Sequence, residues 1–224
     1  MEQNLIVDRL RDLKSQSLSK MVEEQLEHMI LTSEIKPGER INESLLSSTL
    51  QISRAPIREA CRQLAKHGMV ENRVGKGTFV REVILSEAIE LYDIRASLDS
   101  LAAERACQLA DEQGLNGLSA LVEKMRVFAE EKDSLKYFST NLEFHRRIVQ
   151  LSSNASLMDF YETIFKKLSL FRQKTLAKPD RLQRSLSQHE EIYHAIAAKD
   201  AQRAAGLARS HVEEAKEVLL ASKL

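Results

Sequence analysis

The chain has 224 residues, 43% of them apolar and 29% charged, with seven glycines, three prolines and no tryptophan. That mixture excludes a disordered chain, and turn-formers this scarce argue against a sandwich or barrel of many short strands. The 33 basic side chains balance 33 acidic ones, which excludes a wholesale polybasic protein but leaves room for a local basic patch.

Residues 18–34 place Leu18, Met21, Val22, Met29 and Ile30 on one helical face, with Leu26 near its edge. The run stops at Lys36-Pro37-Gly38, a strong breaker. Before it, residues 1–16 carry a weak helical pattern (Leu5, Ile6, Leu10, Leu13) with no assigned role. Asn42 can cap a short second helix through Leu50. Ser53 can cap a third helix that keeps Pro56 in its first turn and runs to His67, where Gly68 ends it. Two short runs, 69–74 and 78–81, flank Gly75-Lys76-Gly77 and read as a β-hairpin. Three helices and a terminal hairpin make a winged helix-turn-helix.

From Ser86 onward the texture is amphipathic helix after helix: about 86–110, 115–131, 134–152, 156–177, 181–197 and 200–221. The breaks fall at Gly114 to Gly117, Lys132-Asp133, Ser153-Asn154, Lys178-Pro179-Asp180 and Lys199-Asp200. The expected fold is therefore mainly α: an N-terminal winged helix-turn-helix over 1–82, a linker at 83–85, and an all-helical antiparallel bundle of six to seven helices over 86–224. Cys61 and Cys107 sit in apolar-periodic stretches and read as small buried hydrophobes. No apolar run approaches the roughly 20 residues of a membrane span, and the N-terminus lacks the apolar core of a signal peptide. The expected location is the cytoplasm, with no membrane partner.

The strongest chemistry lies at 53–81, which holds seven basic residues against Glu59 and Glu71, a local charge of +5. Residues 1–52 carry six basic and nine acidic side chains, or −3. Arg54, Arg58, Arg62 and Lys66 recur every four residues and line one helical face, while Ile57, Cys61 and Leu64 take the other. A helix that is apolar behind and cationic in front suits the major groove of double-stranded DNA, where its first residues meet base edges. Lys76, between two glycines at the hairpin tip, can approach a phosphate or the minor groove closely.

The run Ile52-Ser53-Arg54-Ala55-Pro56-Ile57-Arg58-Glu59-Ala60, followed by Leu64, Gly68-Met69-Val70 and Gly75-Lys76-Gly77-Thr78-Phe79-Val80, resembles the DNA-binding domain of the GntR family of bacterial transcription regulators. The resemblance implies operator DNA as partner. Around Arg54 and Arg58 on the third helix and Gly75 to Gly77 in the wing, which it implies as contacts, the expected face takes in Ser53, Ala55, Arg62 and Lys76. Some relatives carry a further Arg at the start of the second helix, where this chain has Ser44. The later helices resemble the FCD effector domain of the FadR-type branch, through Leu91-Tyr92-Asp93-Ile94-Arg95, Asn141 to Arg146, Asn154, His189 to Ile192, Ala195-Ile196, Asp200 and His211. That implies a homodimer and a repressor that answers to a small molecule.

Many such domains hold a divalent metal with one Asp and three His. By resemblance the histidines are His145, His189 and His211, and the Asp position falls at Asn141. Asn141 and His145 are four apart and share a helical face, and His189 and His211 fall on two later helices, so three helices can converge on one point. Imidazoles suit zinc, and also nickel, copper or cobalt. An amide oxygen is a weaker, neutral ligand, so Asn141 should lower metal affinity and leave the centre more positive, attractive to a small carboxylate. Arg95 is the candidate second partner of that carboxylate, through a bidentate fork; its ordinary alternative is a surface ion pair with Asp99 or Asp93. A metal-free pocket in which the histidines bind the effector directly is the other reading. A zinc hydrolase with Glu190 or Glu143 as base lacks any compact signature such as HExxH, and no enzyme is expected.

Overall fold

The computed structural model describes residues 2–172 and 180–221, with side chains described for 17–171 and 182–221. It divides into two compact units, Met1–Ile84 with Lys166–Gln173, and Leu85–Phe165 with Lys174–Leu224.

The first unit is a winged helix-turn-helix. Helix α1 spans Glu2–Leu31, α2 Glu43–Leu50 and α3 Arg54–Lys66, followed by strands β1 (Val70–Arg73) and β2 (Gly77–Val80). Helix α1 starts far earlier than the pattern at 18–34 suggests, and its buried seam is rotated. Val22, Leu26 and Ile30 are in the core with Ser19 and Glu23, whereas Met21 is 63% exposed. The polar seam residue Glu23 explains the difference: it lies within 3.9 Å of Lys166 Nζ, which also pairs with Glu27 at 2.8 Å. Hydrophobic periodicity cannot register a seam that includes paired charge.

Helix α3 packs on α1 through Ile57, Ala60, Cys61 and Leu64. Asn42 caps α2 by accepting from the Leu45 N–H at 3.0 Å. Ser53 occupies the N-cap position of α3, but its side chain makes no capping hydrogen bond; the expected cap holds in backbone position and not in hydroxyl chemistry. At the other end Gly68 takes φ +69°. Its N–H donates to Ala65 O, and that of Met69 donates to Leu64 O at 2.9 Å, the paired bonds of a Schellman stop. The hairpin pairs Val70 with Val80 and Arg73 with Gly77. Gly38 to Ile41 run beside β2, with Val80 N–H donating to Glu39 O and Ile41 N–H to Thr78 O.

The second unit contains α4 (Leu85–Leu109), α5 (Glu112–Glu130), α6 (Ser134–Leu151), α7 (Ala155–Arg172, grouped with the first unit from Lys166 on), α8 (Asp180–Ala197) and α9 (Ala201–Ala221). Leu118, Met125, Phe144, Ile192 and Ile196 are among its fully buried side chains. The break expected at Gly114 to Gly117 lies instead at Ala110-Asp111. Asp111 caps α5 by accepting from the Gly114 N–H at 2.7 Å. Gly114 lies within α5, and a Cβ there would fall 2.5 Å from Leu151 Cδ2, so this glycine marks close helix packing and not a turn. The break expected at Lys178-Pro179 lies outside the described residues. Among them, no helix is long and apolar enough to cross a membrane.

Candidate functional site

Helix α3 presents Arg54, Arg58, Arg62 and Lys66 on its exposed face, opposite the buried Ile57, Ala60, Cys61 and Leu64. Ser53 and Ala55 are exposed at its N-terminal end. The four cations are not equivalent. Arg62 forms a two-pronged pair with Glu59, Nε to Oε2 at 2.8 Å and Nη2 to Oε1 at 2.6 Å. These bonds, with one from Gln63, hold the Glu59 carboxyl down to about 2. Arg62 is thus partly neutralised, while Arg54 and Arg58 make no ion pair among the described residues. Burial pushes the Cys61 thiol up to about 12, with the Glu43 carboxylate adding to the effect.

In the wing, Gly75 (φ +69°) and Gly77 (φ +102°) flank an exposed Lys76. Nothing lies within 4 Å of where a Gly75 Cβ would stand, so the tip is open on that side. Arg73 is occupied, pairing with Glu71 at 2.7 Å and stacking over Phe79. Arg40 is a cation the sequence reading missed. It lies in the acidic stretch before the third helix, but pairing of Arg40 with Phe79 carries it to the wing, and a Cβ on Gly77 would come within 3.0 Å of its Nε.

In the second unit, α6, α8 and α9 bring His145, His189 and His211 together. One ring nitrogen of each lies within 4.8 Å of the others, and all three residues are buried. Nε2 of His145 and Nε2 of His189 are 3.2 Å apart. Phe144 meets the rings of His145 and His189 edge-on, at 5.7 and 5.0 Å. Each outer Nδ1 has its own neighbour: Asp99 Oδ2 at 3.3 Å for His145, Tyr137 Oη at 3.4 Å for His189, and Gln188 Oε1 at 2.8 Å for His211. Asp99, Tyr137 and Gln188 were not legible beforehand as parts of this site. Metal-ligating imidazoles commonly use their second nitrogen in this way.

Arg95 is 1% exposed, so the expected surface ion pair does not describe it. Its partner is indeed Asp99, Nε to Oδ2 at 3.3 Å, but inside the unit; Asp93 pairs with Lys216 instead. Burial opposes the charge on Arg95, and Asp99, Tyr161 and Tyr92 together outweigh that cost and hold its pKa above the ordinary value. The Oδ1 of Asn141 is a buried polar atom without a hydrogen-bond partner. Glu190, the candidate base of the hydrolase reading, is bonded to Arg126 at 2.7 Å.

The donor set fits a divalent transition ion. Three imidazoles converge, and Asn141, one turn before His145, offers a buried oxygen with nothing to bond.

Two family models match the chain: "Bacterial regulatory proteins, gntR family" over residues 18–80 and "FCD domain" over residues 90–214. The HTH-type transcriptional regulator YdhC of Bacillus subtilis is 30% identical over 177 residues, covering 79% of each chain. The HTH-type transcriptional repressor RspR of Escherichia coli is 24% identical over 183 residues, covering 82% of this chain and 80% of its own. The solved structure of E. coli McbR/YncC shares the fold at a TM-score of 0.80 and 22% identity, covering 92% of this chain and 99% of its own. An exposed cationic helix, an open wing and an FCD-type helical unit in one chain thus agree with its relatives: the protein belongs to the GntR family of bacterial transcription regulators, in the branch that carries an FCD domain.

Proposed function

We propose that this DNA-binding transcriptional regulator is a homodimeric, cytoplasmic repressor that releases or tightens on its operator when a small carboxylate binds in the helical domain, at or near a divalent metal. Residues 1–82 would form the DNA-binding domain, 83–85 the linker, and 86–224 the effector-binding and dimerisation domain. Two copies of α3 would enter two half-sites of a pseudo-palindrome, with Arg54 and Arg58 at base edges and Lys76 and Arg40 on phosphates or the minor groove. Repression is supported by the name of the RspR relative.

His145, His189 and His211 would hold the ion, zinc or nickel by donor chemistry, with Asn141 as a weak fourth ligand. Such an ion would supply a positive centre for the effector's carboxylate. The observation that carries the ligand site is the buried Oδ1 of Asn141, without a hydrogen-bond partner on the helix of His145, with the Arg95 guanidinium buried on the helix of its partner Asp99. A carboxylate satisfies the guanidinium in its usual fork. The effector shifts DNA affinity only by the difference in its own affinity for the two arrangements.

Metal analysis of protein purified without chelator or nickel resin tests the metal. About one ion per chain is expected, lost in His189→Ala. Less than about 0.2 per chain, unchanged by that substitution, contradicts the metal and favours the metal-free pocket. The hydrolase reading falls with the family, whose members are regulators.

A further inference from the structure

We infer that a surface ion pair, Arg184–Glu214, is the outer end of a hydrogen-bond relay that commits the buried His211 to one tautomer, which makes Gln188 and Glu214 positioning residues of the histidine cluster. The inference deepens the ligand site proposed above and rests on that reading for its consequence, though not for its geometry.

The relay follows from what each group can donate. A carboxylate only accepts, so the Gln188 side chain must turn its nitrogen to Glu214, and Nε2 donates to Oε2 at 2.8 Å. The amide oxygen then faces the other way, 2.8 Å from His211 Nδ1. An amide oxygen also only accepts. His211 Nδ1 therefore carries the proton, and Nε2 carries none. This is the less favoured form of a free histidine side chain, so the surroundings enforce it. Arg184 keeps the carboxylate in place, with Nη2 donating to Glu214 Oε2 at 2.8 Å and Nε bonded to the other oxygen.

The spacing makes the arrangement possible. Arg184 and Gln188 are one turn apart on α8, and His211 and Glu214 lie three apart on α9. The Arg184 side chain is 72% exposed, that of Glu214 30%, and His211 as a residue 8%. The relay thus runs from solvent to the cluster along the wall of a shallow cleft lined by Arg184, Ser185, Gln188, His211, Glu214 and Val218. What Asp99 does for His145 from inside the unit, Glu214 does for His211 from its surface, through one intervening amide.

The test uses the full chain labelled with ¹⁵N-histidine and stripped of metal. Long-range ¹H–¹⁵N spectra report which ring nitrogen of His211 bears hydrogen. Wild type should show Nδ1–H. Glu214→Gln lets the amide turn, so signal should move to Nε2–H, and Zn²⁺ affinity by titration should fall about tenfold or more, the usual size of a lost outer partner. The exchange Gln188→Glu with Glu214→Gln places a carboxylate directly on His211 Nδ1 and keeps a donor at 214. It should restore Nδ1–H and return Zn²⁺ affinity at least to the wild-type value, which a merely structural role would not do. Nε2–H in the wild type, or a Glu214→Gln spectrum and affinity both unchanged, overturns the relay. The stated tautomers together with no Zn²⁺ binding uphold the relay and contradict the metal reading.

Discussion

One carboxylate oxygen of Asp99 lies 3.3 Å from Nδ1 of His145, and the same oxygen lies 3.3 Å from Nε of Arg95. Asp99 and Arg95 are a turn apart on α4, and both are almost wholly buried. The pair therefore orients a histidine of the cluster and also keeps a buried guanidinium neutralised.

Removing one partner of such a pair strands the other. Asp99→Ala should destabilise the protein by about 3–5 kcal/mol, whereas Arg95→Met combined with Asp99→Leu should cost much less, because no unpaired charge is left inside. Urea denaturation of both variants checks this. A double variant as unstable as the single one would mean that the pair matters for its shape and not its charge.

The exposed arginines of α3 should separate. Arg54→Ala removes a free cation at the end of the helix that meets base edges, and should cost about 1–3 kcal/mol on a selected duplex and far less on random DNA. Arg62→Ala, already paired with Glu59, should cost little on either. Arg40→Ala should weaken both alike and reduce the salt slope by about 1, as a phosphate contact does. Fluorescence anisotropy with selected and scrambled duplexes reads all three.

Glu59 supplies a pH dependence. Its carboxyl is held down to about 2 by Arg62 and Gln63. A lowered folded-state pKa stabilises above the unfolded value and loses that contribution as pH falls through the folded one. The Arg62 pair should therefore persist at pH 4 and fade toward pH 2. In Arg62→Ala the Glu59 carboxyl should titrate closer to the ordinary carboxylate range, as followed by carboxyl ¹³C shifts.

Cys61 should be inert. With its thiol pushed up to about 12 by burial, almost no thiolate exists at pH 8. A thiol reagent should leave it unmodified in the native protein and label it in urea; rapid native labelling would mean that α3 opens readily.

Much of the architecture was legible because local rules write it. The period of the helical stretches and the breakers at Lys132-Asp133, Ser153-Asn154 and Lys199-Asp200 placed α6 and α9 to within a residue or so of their observed bounds. Gly75-Lys76-Gly77 announced the wing, and the four-residue spacing of arginines announced the cationic face. The histidine cluster became visible through the resemblance, aided by the i, i+4 spacing of Asn141 and His145. The outer partners were not visible. Tyr137 and His189 are 52 residues apart, Gln188 and His211 23 apart, and no periodicity reports such meetings. Arg40 was hidden for the same reason, since only strand pairing carries it to Gly77. Gly114 misled because a glycine kept for close packing against Leu151 looks in sequence like one kept for a turn.

The most direct measurement is the affinity of the full chain for a 30-base-pair duplex selected from a random library, over a series of salt concentrations and against a scrambled duplex. Log affinity should fall linearly with log salt, by about 0.9 for each phosphate neutralised, and the selected duplex should bind far more tightly than the scrambled one. A flat salt response with no preference between the two would contradict a DNA-gripping helix and wing, and with it the account of what the histidine cluster regulates.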